Sequence, residues 1–221
     1  MSRAIVDLTR PILDGQPTWP GDVPIRLWIH DEFTRIGGIQ LGTHAGTHLD
    51  APYHWFADGA TVDRVPLERL VGPARVIDLC GRGPELSCAE LIVACGETRP
   101  GERLLLHTGW AGDITAEGWG HLSVEAAAWL VAQSPALVGI DTPSIDGPHS
   151  GDAHAALLGA GIPILELLTN LGEVGGADFT LVALPLSVVG LDGAPVRAVA
   201  LVGSTVKGAS DHGAPSGGSS G

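Results

Sequence analysis

The feature that most limits how this chain can fold is a recurring rhythm of short β-type runs. Eight occur: Ala4 to Leu8, Ile25 to Ile29, Ile39 to Thr43, Ala74 to Leu79, Arg103 to His107, Leu137 to Ile140, Phe179 to Leu184 and Val196 to Val202. Three segments between them, Ser87 to Cys95, Ser123 to Gln133 and Asp152 to Leu158, carry apolar residues at helical spacing. Each has Ser or Asp near its start and Gly, Ser or Pro near its end. Strands interleaved with helices predict an α/β fold. Regular βαβ alternation is confined to the second half, so we expect a single domain with a mixed β-sheet core and flanking helices, not a doubly wound sheet. With 221 residues, one domain is the default, and we place it at residues 1–206. After Val206 the sequence KGASDHGAPSGGSSG loses apolar periodicity. Residues 207–221 are therefore read as a flexible Gly/Ser-rich tail, and His212 within it is discounted as a ligand.

Hydrophobic residues make up 44% of the chain and charged residues 17%, which is enough apolar material for a full core. The formal charge of −13 and the scattering of only 12 Lys and Arg residues argue against nucleic acid as a partner. No run approaches the roughly 18 to 20 apolar residues of a membrane span, and no signal-peptide core follows Met1, so the expectation is a cytoplasmic enzyme with no membrane partner. Cys80, Cys88 and Cys95 are odd in number and lack CxxC spacing, and are read as reduced thiols. Ser87 and Glu90 form a capping box whose helix would put Cys88 and Cys95 on one face. There is no GxSxG elbow, P-loop or complete GxGxxG, and no cysteine in a nucleophile setting.

The chemistry concentrates in His44-Ala45-Gly46-Thr47-His48-Leu49-Asp50-Ala51-Pro52-Tyr53-His54, which holds three of the nine histidines and an aspartate. His44, His48, Asp50 and His54 all occupy even positions. An extended chain would put them on one side, whereas a helix would rotate Asp50 and His54 away from the first two histidines. Gly46 and Pro52 also oppose a continuous helix. The segment is therefore placed on a strand end running into a loop that wraps a centre. A lone histidine is usually structural, but three with a shared facing and a carboxylate point to a metal. Imidazoles and carboxylates without thiolates suit Zn²⁺ or Mn²⁺ in an open, catalytic type of site.

HAGTHLDAPYH resembles the HxGTHxDxPxH signature of the Putative cyclase family, which includes the bacterial kynurenine formamidases, or arylformamidases. Thr18-Trp19-Pro20-Gly21-Asp22 is similar to the family's WPGD turn. Gly139-Ile140-Asp141-Thr142-Pro143-Ser144-Ile145-Asp146 is similar to its GxDxxSxD segment, and Ala183 to Leu186 with Gly193 to Ala198 to its C-terminal strands. The resemblance spans Ile5 to Val202. It implies a cyclase-like homodimer holding two divalent metal ions, Zn²⁺ first and Mn²⁺ second. His44, His48 and Asp50 would hold one ion, with Asp50 bridging to a second held by His154 and Glu166. By themselves, a histidine opening a helix and a glutamate after a strand are more often structural. Glu166 between Leu165 and Leu167 nevertheless calls for a partner, because a buried bare carboxylate is costly.

The resemblance also makes His54 the proton shuttle, a role that suits an imidazole near neutrality. The implied reaction is hydrolysis of an aromatic amide, N-formylkynurenine to kynurenine and formate in tryptophan degradation. Its rivals are an isatin-like cyclic amide, another amide or ester, a polyketide ring closure, and a non-catalytic zinc-stabilised binding protein. Trp19, taken as a substrate-binding residue, and Trp55, Tyr53 and Phe56 could offer an aromatic pocket wall or belong to the core. His107 stands where many relatives carry Arg, and either lines the pocket or ends a strand. His30, His121 and His149 have no motif around them and are read as surface or structural.

Overall fold

A computed structural model describes residues 4–112, 114–176 and 178–203; the segment read as a tail lies outside them. The described residues form strands β1 (Ala4–Asp7), β2 (Arg26–Asp31), β3 (Ile36–Gln40), β4 (His48–Asp50), β5 (Val71–Asp78), β6 (Glu85–Leu86), β7 (Arg103–His107), β8 (His121–Leu122), β9 (Leu137–Ile140), β10 (Ile164–Glu166), β11 (Phe179–Pro185) and β12 (Gly193–Val202). Helices are α1 (Leu67–Leu70), α2 (Cys88–Cys95), α3 (Val124–Gln133), α4 (Asp152–Gly159) and α5 (Leu171–Val174). The mixed α/β architecture expected from the sequence is present.

Eight strands form one sheet in the order β1-β12-β11-β5-β7-β9-β10-β4, and β4 also pairs with β12. That last pairing closes the sheet into a barrel. β12 makes closure possible by its length: Gly193 to Pro195 pair with β4, while Val199 to Val202 pair with β1. Closure leaves few free edges. The central ladder β5-β7-β9-β10 is parallel, and α2, α3 and α4 make its crossovers, as parallel neighbours require.

Parallel strands covered on both faces read as continuous apolar runs, and β7 shows why. Leu104 and Leu106 pack with Leu91, Leu130 and Leu157 under the helices, while Leu105 faces a second cluster with Leu49, Leu165 and Leu181. All three leucines are at most 1% exposed, each contributing about 1.5–3 kcal/mol by burial. The expected helix α2 is present. Ser87 Oγ accepts from Glu90 N–H, and the Glu90 side chain accepts from Ser87 N–H. Cys95 is buried and Cys88 packs on the same cluster, as the shared face required.

One strand is shifted from its expected span. The run placed at Ile39 to Thr43 is instead β3, Ile36–Gln40, pairing with β2. Gly38 is a weak strand former that belongs here because a Cβ on it would fall 2.2 Å from the Trp28 ring. Thr43 then leaves the ladder for the turn that carries His44. No helix among the described residues is long and apolar enough to cross a membrane.

Candidate metal centre

The His44–His54 segment is not one extended strand. Only His48–Asp50 is strand; His44 sits in the preceding turn and His54 ends a short 3₁₀ turn, Pro52–His54, that starts with proline. The turn before β4 needs Gly46, whose φ is +64°, in the left-handed region that glycine tolerates. A Cβ there would lie 2.9 Å from Ile12 Cγ1. Thr47 fixes the turn to its surroundings: its hydroxyl donates to the Leu167 carbonyl at 2.6 Å and accepts from Arg10 N–H at 2.9 Å.

Strand register supplies the next residues. His48 and Asp50 share one face of β4, and His48 lies directly opposite Glu166 in the antiparallel pairing with β10. His154 comes from the first turn of α4, whose N-cap residue, Gly151, has no side chain to offer. Asp146 caps the helix from a distance, accepting from Ala153 N–H at 2.8 Å, His154 N–H at 3.0 Å and His154 Nδ1 at 2.6 Å.

The five expected ligands converge. His44 Nδ1 lies 2.8 Å and His48 Nε2 3.4 Å from Asp50 Oδ1. His154 Nε2 lies 3.5 Å from both Asp50 Oδ2 and Glu166 Oε1, and His48 Nε2 lies 3.6 Å from Glu166 Oε2. Each imidazole has its other nitrogen tied down: His44 Nε2 to Asp192 at 2.9 Å, His48 Nδ1 to the Gly46 carbonyl at 2.8 Å, and His154 Nδ1 to Asp146. Such outward bonds fix the ring orientation and aim the opposite nitrogen inward. His44, His48 and Asp50 form one donor set and Asp50, His154 and Glu166 another, with donors in each within 4.8 Å of one another.

A cation suits this arrangement. Asp50 Oδ2 is fully buried and has no hydrogen-bond partner among the described residues, a costly state for a carboxylate unless something else neutralises it. The electrostatics agree. Burial opposes charge on His44, but Asp50 and Asp192 outweigh it and push the imidazole up to about 11. His154 is likewise resisted by burial, then raised by Asp146, Asp50 and Glu166 to about 10. Burial would raise the Asp50 carboxyl, but His48, His44 and His154 hold it well below its usual range. Charges that retain protons on these imidazoles also favour a metal in their place.

His54 borders a cavity of about 230 Å³ above these donors, lined also by Trp19, Asp22, Trp55, Ile114, Pro143, Ser144 and Ser150. Its Nδ1 faces Asp192 at 3.3 Å, which leaves Nε2 for proton transfer. Trp19 and Trp55 reach the cavity, and Trp55 stacks on the His154 ring at 5.5 Å. Phe56 instead packs on the core under the helices, and Tyr53 is absent from the lining. His107 ends β7 beside Cys80, with Sγ to Nδ1 3.5 Å, and is not among the lining residues. The acidic and hydroxyl residues of the 139–146 segment act in different places. Asp141 accepts from Thr108 and Gly109 N–H, Ser144 lines the cavity, and Asp146 positions His154.

Asp192 is the site residue that the sequence reading missed. Its one available signal is its place just before the Gly193–Ala198 strand motif.

Comparison with known proteins places this geometry. The structure of a potential metal-dependent hydrolase with cyclase activity aligns with a TM-score of 0.76 at 28% identity, covering 92% of this chain and 100% of that one. Isatin hydrolase A from Labrenzia aggregata, bound to benzyl benzoate, aligns with a TM-score of 0.80 at 26% identity, covering 90% and 94%. A predicted metal-dependent hydrolase from Bacillus stearothermophilus aligns with a TM-score of 0.77 at 27% identity, covering 90% and 98%. The family described as Putative cyclase matches residues 6–147, a span that carries both the turn-and-strand motif around His48 and the segment ending at Asp146, and the chain belongs to that family.

Proposed function

We propose that this chain is a metal-dependent amide hydrolase, and that its reaction is the conversion of N-formylkynurenine to kynurenine and formate. The observation that carries the reading is Asp50: a buried carboxylate, one oxygen of which has no hydrogen-bond partner among the described residues, shared by two donor sets. His44, His48 and Asp50 would hold one divalent cation, and Asp50, His154 and Glu166 a second, Zn²⁺ before Mn²⁺. Cations held there supply Lewis acidity toward a carbonyl oxygen and make water a nucleophile near neutral pH. The protein's own part is proton handling and orientation. His54, its Nδ1 tied to Asp192, takes a proton from the attacking water at Nε2 and returns it to the departing aniline nitrogen. Trp19 and Trp55 offer flat apolar faces to an aromatic substrate.

A second reading, hydrolysis of an isatin-like cyclic amide, keeps the same machinery. It is supported by the likeness to isatin hydrolase A and by a cavity whose aromatic walls suit a planar bicycle. The proposed setting is cytoplasmic, consistent with three free cysteines, and the proposed state is a homodimer. Zn²⁺- and Mn²⁺-loaded protein assayed with N-formylkynurenine and isatin decides between the substrates. Metal-dependent appearance of kynurenine is expected. Turnover of isatin alone selects the second reading, and turnover of neither at full metal occupancy rejects both.

A further inference from the structure

The His44–Asp192–His54 arrangement is not explained by metal ligation alone. A single carboxylate oxygen, Asp192 Oδ2, faces both His44 Nε2 at 2.9 Å and His54 Nδ1 at 3.3 Å. The two rings are stacked obliquely with centroids 4.3 Å apart. Asp192 is itself held by backbone: its carbonyl accepts from Ala51 N–H at 2.9 Å, and the next residue, Gly193, pairs with Asp50. The approach of β12 to β4 is too close for a side chain at that point, since a Cβ on Gly193 would fall 2.6 Å from the Leu49 carbonyl and 3.2 Å from His44 Cε1. The strand closure that seals the barrel thus delivers the carboxylate between the two histidines.

We propose that Asp192 is a positioning residue that holds a proton on the facing nitrogen of each ring, Nε2–H on His44 and Nδ1–H on His54, and so sets the tautomer of His54. A carboxylate oxygen accepts and cannot donate, so both nitrogens facing it must carry protons. Neutral His54 then turns its Nε2 lone pair away from Asp192, ready to receive a proton, while His44 faces Asp50 Oδ1 through Nδ1 at 2.8 Å, where a bound cation would take the place of a proton. One residue links the metal-holding arm to the acid–base arm, in the way a carboxylate behind an imidazole selects its tautomer elsewhere. The role of His54 rests on the proposed hydrolytic reading; the protons that face Asp192 do not.

The test uses zinc-loaded protein with ¹⁵N-labelled histidine, read by long-range ¹H–¹⁵N correlation at a pH where His54 is neutral, beside zinc content and steady-state kinetics. The wild-type protein is expected to show His54 protonated at Nδ1. In D192N the amide NH₂ can donate to His54 Nδ1, so the ring should shift toward the Nε2–H tautomer. Zinc should still bind at wild-type stoichiometry when saturating, with affinity reduced roughly 10- to 100-fold. On an amide that the wild-type protein hydrolyses, kcat should fall roughly 10²- to 10⁴-fold with little change in KM. Wild-type His54 protonated at Nε2 overturns the proposal without any variant being needed. An unchanged tautomer in folded D192N overturns it too. Loss of zinc from D192N as complete as from H44A also overturns it, by making Asp192 a ligand. If wild-type protein hydrolyses no amide, the proposed function fails while the tautomer and zinc measurements still decide this inference.

Discussion

Asp50 and His54 stand four residues apart in one short segment, yet the structure gives them opposite surroundings. Asp50 is wholly buried, with both oxygens facing histidine nitrogens, whereas His54 borders the cavity and is about one-quarter exposed. Asp50→Asn replaces the shared anion with a neutral amide, so both cations should be lost and turnover with them. His54→Ala should keep both cations and slow turnover by roughly 10²- to 10⁴-fold, the usual contribution of a general acid or base. Metal content after purification, measured beside turnover, separates the two. A His54→Ala protein that comes out metal-free makes His54 a ligand, and one with full turnover makes it structural. The candidate ligands within residues 44–50 stood out because a single short segment carries them. Glu166 was legible as a buried carboxylate in want of a partner, but its facing His48 is a matter of strand register.

At the scale of elements, the local signals were the dependable ones. The capping box at Ser87 marked α2 because both of its hydrogen bonds span only three residues. Ser87→Ala should lower stability by about 1 kcal/mol and leave turnover unchanged, since α2 lies under the sheet away from the cavity. Denaturant melts with unchanged m-value and a kinetic assay check both halves of that expectation. Where expectation and structure part, at β3 and in the turn before β4, the cause is a contact with a distant residue. Trp28 claims the space above Gly38, and Ile12 claims the space beside Gly46. Neither contact leaves a trace in local periodicity.

At the scale of the whole molecule, the barrel carries an apolar core on both sides of its parallel ladder that includes none of the candidate metal-holding side chains. If the proposed cations are bound, chelation should therefore abolish turnover while far-UV circular dichroism stays native, with the melting temperature falling because stability drops by the lost binding energy, about 2.7 kcal/mol for a metal that had been present at 100 times its Kd. Unfolding on chelation would instead favour a zinc-stabilised binding protein. The β2–β3 hairpin bears on the proposed homodimer. Phe33 is 97% exposed and Ile39 70%, with Ile29 and Ile36 beside them, more apolar surface than an isolated hairpin normally leaves in water. Phe33→Ser with Ile39→Ser should shift the protein to monomer in sedimentation velocity. A wild-type protein that is already monomeric defeats the dimer.

By itself the sequence determined the α/β class, the helix boundaries at Ser87 and Ser123, and a metal-type grouping at His44, His48 and Asp50, because each is written in residues within a few positions of one another. The tertiary structure alone decided that the sheet closes on itself and that Asp146 stands behind His154. It also decided that Asp192 reaches His44 across 148 residues of chain. Those outcomes depend on β4 being gripped by β10 and β12 at once, and a pairing between distant strands is fixed by backbone register and close approach, which local patterns of residues do not encode.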